Sequence, residues 1–286
     1  MVWKDNKNAT KFTLKSCDKL IELNRPLIMG ILNVTPDSFY EGSRMQSEDA
    51  ILGTVHQMIR DGVDILDIGG MSTRPGATII SEELEIERIT HALALIRKEY
   101  PDILISIDTY RSSVVDAAAT FGIDLVNDVS GGSGDEKMYA TVAALKLPYI
   151  LMHSRGDAQS MQGLTKYDHF PQDVIKELSF AVNKARNAGI VDVIVDPGFG
   201  FAKNLDQNYE MLKKLSLFHL LECPLLVGVS RKSMIYKFLD TTPSEALNGT
   251  TALHMIALLN GTHFLRVHDV KEAVEAHRIY LKLDGI

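Results

Sequence analysis

Cysteine is almost absent from this sequence: Cys17 and Cys223 stand far apart, in neither a metal-binding nor a redox spacing. That excludes a disulfide framework and a cysteine-held zinc site, and reads the pair as small buried hydrophobes of a reducing, cytoplasmic compartment. Long apolar runs are missing too. The stretch "ALHMIALLNG" falls far short of the ~20 apolar residues that span a bilayer, and the opening "MVWKDNKNATKF" is not a basic-then-apolar export signal. Positive charge is in deficit: Lys and Arg number 30 against 37 Asp and Glu, a net charge of -7. Phosphate backbones are gripped by clustered cations, so a broad nucleic-acid surface is not expected. A local cationic pocket for a small anion is compatible with the same total. No G-x-x-x-x-G-K-[ST] loop and no H-E-x-x-H occurs, and "SGGSGD" lacks the spacing of a dinucleotide fingerprint. Repeats, low-complexity segments and linkers are also lacking, which predicts one domain over residues 1–286.

What is present is a series of short runs rich in Ile, Leu and Val: "LIMGIL", "DILDIGG", "ILISID", "IDLVND", "PYILMH", "DVIVDP", "PLLVGVS" and "HFLRVHD". Continuous rather than alternating apolarity marks parallel strands buried on both faces. Helical stretches lie between most of them, as in "SEELEIERITHALALIRKEY", where Ile86, Ile89, Leu93 and Ile96 recur at helical spacing. Ser81, Ser47 and Asp269 each stand where an N-cap would start such a helix. Eight strand-helix units in a chain near ~250 residues predict a (β/α)8 TIM barrel. An open doubly wound sheet is the competing reading, because the same alternation builds both. Residues 1–25 form an extension in which "KFTLKSCDKLIEL" reads as a hairpin closing the barrel bottom.

The informative residues end the apolar runs: Asn33, Asp108, Asn127, His153, Asp196, the trio Ser230, Arg231 and Lys232, and the pair Arg266 and His268. In a barrel these carboxyl ends converge on the face that carries the active site. Each has a bland reading of its own, since Asp108 could cap a helix, Asp196 hold a turn and Asn127 close an Asx-turn. Turn chemistry, however, gives no reason for acids and an amide at three strand ends and cations at two later ones. Carboxylates suit a flat ring presenting N–H groups, and Lys232, Arg266, His268 and Arg74 suit an anion. The expected pocket is bipolar, with a heterocycle at one side and an anion at the other.

The segments "ILNVTPDSF", "DILDIGGMSTRPGA", "ISIDT", "LVNDVSGG", "DPGFGF", "VGVSRKS" and "FLRVHDV", in this order, resemble the dihydropteroate synthase family of folate biosynthesis. The resemblance runs from about Arg25 to the final helix. It implies transfer of the pterin-methyl group of 6-hydroxymethyl-7,8-dihydropterin diphosphate onto 4-aminobenzoate, with release of diphosphate and with Mg²⁺. It implies that Asp108, Asn127, Asp196 and Lys232 hold the pterin, flanked by Met152 and Phe199. Diphosphate would fall to Asn33, Thr73, Arg74, Arg266 and His268, with Asn33 as the magnesium contact. Phe39, Pro75 and Ser233 would surround the aminobenzoate, where sulfonamides would compete, and Asp37 would close a first loop over the reacting centre. The catalytic set so implied is Lys232, Asp37, Arg266 and His268, and the family implies a homodimer. Departures from the family pattern are Asp157 and Ala158 in place of a Thr-Pro pair, Met71 where Glu is frequent, and Ala202 where Gly is common. Rival readings are a pterin-dependent methyltransferase domain, a non-catalytic pterin-binding homologue, and a phosphate-binding sugar isomerase. "SRKS", "RVHD" and "NVTPDSF" favour the synthase.

Overall fold

The computed structural model describes residues 12–17, 19–34, 44–71, 80–156 and 163–285, with the side chains of residues 44–47 and 284 excepted. Asp37, Phe39, Thr73, Arg74 and Pro75 therefore lie outside the described residues, as do Asp157 and Ala158.

Eight strands pair in parallel: β3 (Leu27–Asn33), β4 (Ile65–Gly69), β5 (Leu104–Asp108), β6 (Leu125–Asp128), β7 (Tyr149–Met152), β8 (Val193–Asp196), β9 (Leu226–Val227) and β10 (Phe264–Val267). The order runs β8-β7-β6-β5-β4-β3-β10-β9, and a parallel bridge between Val195 and Leu225 joins the two edges. The Val195 N–H donates to the Pro224 carbonyl at 2.9 Å across that seam. The sheet is thus a barrel rather than an open doubly wound sheet. Helices α1 (Arg44–Arg60), α2 (Glu82–Glu99), α3 (Ser112–Ala119), α4 (Met138–Leu145), α5 (Gln172–Asn187), α6 (Leu205–Lys213), α7 (Ser233–Tyr236), α8 (Leu247–Leu259) and α9 (Val270–Asp284) connect the strands in turn. Among the described residues no helix is long and apolar enough to cross a membrane.

A strand shows alternate residues to opposite faces, and here the two faces form two cores. Outward residues such as Leu66, Ile68, Ile107, Val126, Val195 and Val267 pack with the helices in one cluster. Inward residues at the amino ends, Met29, Ile65, Leu125, Ile150, Ile194, Leu226 and Phe264, form a second. The antiparallel hairpin of β1 (Phe12–Ser16) and β2 (Lys19–Leu23) adds Leu14, Ile21 and Leu23 to that inner cluster and so stoppers the barrel bottom. The hairpin bears out the reading of "KFTLKSCDKLIEL".

Local expectations fared unevenly. Ser81 caps α2, accepting from the Leu84 N–H at 3.3 Å. Ser47 does not cap α1, which begins three residues earlier at Arg44. Asp269 precedes α9 but makes no side-chain cap; its carboxylate instead takes Arg231 Nε at 2.8 Å and Nη2 at 2.7 Å, a two-pronged ion pair that outcompetes a backbone N–H. Cys223 is buried, whereas Cys17 is exposed, because it sits in the hairpin turn at φ 51°.

Candidate active site

Continuing each strand's inward alternation past the apolar layer leads to a polar layer. From Ile65 it reaches Asp67 and then Gly69; from Leu104, Ser106 and Asp108; from Leu125, Asn127; from Ile194, Asp196; from Phe264, Arg266 and His268. Strand register brings Gly69 beside Asn33 and Asp108, and Asp108 beside Asn127. Met152 lies beside Asp196 in the same way. Residues scattered over the whole chain thus share one mouth.

Two inward positions at this level have no side chain. A Cβ on Gly69 would stand 3.5 Å from Asn33 Oδ1 and 3.6 Å from Asp108 Oδ2, and one on Gly228 would stand 3.8 Å from the Arg266 Cβ. The missing side chains hollow out the mouth between polar walls.

Arg266 crosses the floor. Its Nε donates to Asp67 Oδ2 at 2.6 Å and its Nη2 to Asp108 Oδ2 at 2.5 Å, while Asn127 Nδ2 donates to the same Asp67 oxygen at 3.0 Å. Asp67 is fully buried. The other oxygens, Asp67 Oδ1 and Asp108 Oδ1, are buried without a hydrogen-bond partner. Burial pushes the Asp108 carboxyl up to about 7, against the pull of Arg266 and with Asp67 adding to the rise. The two acids in turn hold the Arg266 guanidinium firmly protonated in spite of its burial.

On the other wall Asp196 Oδ1 accepts the Gly198 N–H at 2.8 Å, and burial raises this carboxyl against the pull of Lys232. Lys232 donates to the Phe199 carbonyl and stands 4.8 Å from the centre of the Phe201 ring. Burial lowers its ammonium to about 8, opposed by Asp196. Ser233 opens α7 next to it, half-buried. At the end of β10 the His268 N–H donates to Ser230 Oγ at 3.2 Å, and Nδ1 lies 3.0 Å from the same oxygen. The Asn33 side chain, half-buried at the end of β3, has no hydrogen-bond partner among the described residues.

The expected grouping therefore holds for Asn33, Asp108, Asn127, Asp196, Lys232, Arg266 and His268, with Met152 and Phe199 buried beside them. The expected sorting by sign does not: Arg266 lies between two acids and Lys232 faces a third, so cations and anions interleave. Two end-of-run residues are not in the mouth. Arg231 turns to Asp269 and the Pro243 and Ser244 carbonyls. His153 follows the inward Met152, so alternation turns it outward to Glu177 of α5. Asp67 was missed as a site residue because it stands inside an apolar run, although its spacing of two from Ile65 and Gly69 was a signal.

A polar barrel mouth that offers buried acceptors to a flat N–H edge defines a pterin-binding barrel enzyme, and the family model described as pterin binding enzyme matches residues 29–268. Dihydropteroate synthase of Escherichia coli K12 is 41% identical over 261 residues, covering 91% of this chain and 92% of that protein. The structure of Yersinia pestis dihydropteroate synthase with a sulfonamide drug complex superposes with a TM-score of 0.89 at 37% identity, covering 96% of this chain and all of that one. The Thermus thermophilus dihydropteroate synthase in complex with 4-aminobenzoate gives a TM-score of 0.85 at 33% identity, over 95% of this chain and all of that one. The chain belongs to the dihydropteroate synthase family.

Proposed function

We propose that this site joins 6-hydroxymethyl-7,8-dihydropterin diphosphate to 4-aminobenzoate, giving 7,8-dihydropteroate and diphosphate. The observation that carries the reading is the pair of buried oxygens without partners, Asp67 Oδ1 and Asp108 Oδ1, at the floor of a hollow made by Gly69 and Gly228. A buried acceptor left unmade costs ~1–3 kcal/mol, and a ring edge rich in N–H groups repairs that. Asp108, Asn127 and Asp196 hold this edge, Lys232 holds its carbonyl side, and Met152 and Phe199 cover its faces.

The C–O bond to diphosphate breaks, the methylene gains cationic character, and a C–N bond forms to the aryl amine, which then loses a proton to solvent. Neighbouring carboxylates stabilise the developing cation, and fixed donors on Arg266 and His268 stabilise the leaving group; removing one such donor typically costs ~3 kcal/mol. The amine is neutral near pH 7, so no strong base is required of the protein. Asn33 adds a neutral side-chain oxygen that has no hydrogen-bond partner among the described residues. That fits Mg²⁺, which takes few protein ligands and completes its shell with phosphate and water; when bound it would neutralise charge on the diphosphate. Ser233, Phe39, Pro75, Thr73, Arg74 and Asp37 are assigned by resemblance alone.

The two thiols are unpaired, which supports a cytoplasmic setting, and exposed Phe238 and Leu239 after α7 supply apolar area to a homodimer. Purified protein with both substrates and Mg²⁺ should release dihydropteroate and diphosphate; no product with all components present rejects the reading.

A further inference from the structure

Lys203 lies between β8 and α6 and is 5% exposed. Its Nζ is 2.9 Å from His153 Nδ1, 3.1 Å from the Gly198 carbonyl and 3.0 Å from the Phe201 carbonyl. Burial lowers this ammonium to about 7, and in the charged form its three protons match the three acceptors. Nδ1 then accepts, and the proton of the neutral imidazole sits on Nε2, which faces Glu177 Oε2 at 3.0 Å. The same Glu177 oxygen takes Arg155 Nε at 3.0 Å, and the Arg155 guanidinium lies 3.8 Å from the centre of the Tyr167 ring. A proton-ordered chain therefore runs from the half-exposed Glu177 through His153 to Lys203. Reversing the histidine would set a bare ring nitrogen against a carboxylate.

What the chain grips is the turn after Asp196. Gly198 and Phe201, whose carbonyls Lys203 collects, bracket Phe199 and Gly200. The Phe199 carbonyl takes Lys232, and the Gly198 N–H takes Asp196 Oδ1 at 2.8 Å. One short turn thus touches both Asp196 and Lys232 at the front and is clamped by Lys203 from behind. The turn is not held by regular structure: Gly198 has φ 71° and Ala202 has φ 49°. A Cβ on Gly198 would meet the His153 carbonyl at 2.0 Å, so the turn also presses on the residue that orders Lys203.

We propose that Lys203, held in register by His153 and Glu177, is a positioning residue that fixes Asp196 and Lys232 against the pterin. The inference rests on reading the mouth as the pterin site. It places a determinant of pterin affinity on the turn that Asp196 and Lys232 share.

Steady-state kinetics on wild type, Lys203→Met and Glu177→Gln test it, with circular dichroism melts to report folding. Lys203→Met should raise KM for the pterin diphosphate at least tenfold and leave KM for 4-aminobenzoate within twofold. Glu177→Gln, at a half-exposed position, should raise the pterin KM about threefold with the same selectivity. ¹⁵N spectra of wild type at pH 7 should show His153 protonated on Nε2 only. A folded Lys203→Met with an unchanged pterin KM, or with both KM values raised alike, overturns the proposal. If Lys203→Met does not fold, Glu177→Gln decides, and a pterin KM unchanged there overturns it. Wild-type protein without turnover rejects the functional reading and this proposal together, whereas wild-type turnover with an indifferent Lys203→Met rejects only the clamp.

Discussion

Replacing Asp67 by Asn alters one atom at the centre of the floor. If the new amide keeps its oxygen where Oδ2 was, the bonds from Arg266 Nε at 2.6 Å and Asn127 Nδ2 at 3.0 Å persist, now to a neutral acceptor. Its NH₂ then occupies the place of Oδ1, buried and without an acceptor. A buried unsatisfied donor costs ~1–3 kcal/mol. Breaking a buried ion pair outright costs ~3–5 kcal/mol, but that is an upper bound here, since Arg266 keeps Asp108 at 2.5 Å. A net loss of about 2–3 kcal/mol follows, which moves a urea midpoint by ~1 M at an m-value of about 2–3 kcal/mol/M. The same exchange turns an acceptor for the pterin edge into a donor, so pterin affinity should fall by more than tenfold, at about 1.4 kcal/mol per decade. Urea melts and titration calorimetry with a pterin measure the two effects. A variant within about 0.5 kcal/mol of wild type that binds pterin normally, on the scale of ordinary surface substitutions, would refute the assignment of Asp67 to the floor.

Gly69→Ala should fold, because its Cβ meets only ordinary contacts at 3.5 and 3.6 Å, yet put a methyl into the hollow beside Asn33 and Asp108; unchanged pterin affinity would show that the hollow is elsewhere. Gly198→Ala should lose both stability and pterin binding, since the new methyl would sit 2.0 Å from a carbonyl at a φ of 71° that costs Ala ~1–2 kcal/mol in addition. Thermal melts and calorimetry check it, and a variant matching wild type in both contradicts the crowding. With the Asp108 carboxyl near 7 and its ionised form needed as acceptor, pterin affinity should weaken as pH falls from 8 to 6. Asp108→Asn should lack that slope, and a slope shared by both forms would place the titration elsewhere. The effect on stability has the opposite sign: a carboxyl raised above its unfolded value of 3.8 contributes most at low pH, and that contribution is lost as pH rises toward 7.

The barrel was legible because strands buried on both faces need unbroken apolar runs, and eight such runs appear. The mouth was legible where a polar residue ended a run, as at Asn33, Asp108, Asn127 and Asp196. That signal marks the height of a residue in the barrel but not its face. His153 and Arg231 reached the right height on the wrong side, and alternation from Met152 would have turned His153 outward. Asp67 failed in the opposite sense, an inward acid hidden among isoleucines and leucine. Lys203 and Glu177 gave no signal at all, because their partners come from separate loops and a helix that meet only after folding. Ala202, noted as a departure from glycine, proves to hold a left-handed backbone angle and to accept the Tyr167 hydroxyl at 2.9 Å.

Among the described residues, Leu14, Ile21 and Leu23 close the amino end of the barrel, opposite the polar mouth. Whatever sits deepest must arrive first and cannot leave while a second molecule stands above it. Under the reaction assigned here, the pterin precedes the aminobenzoate, and the joined product departs as one body through the doorway its halves entered singly.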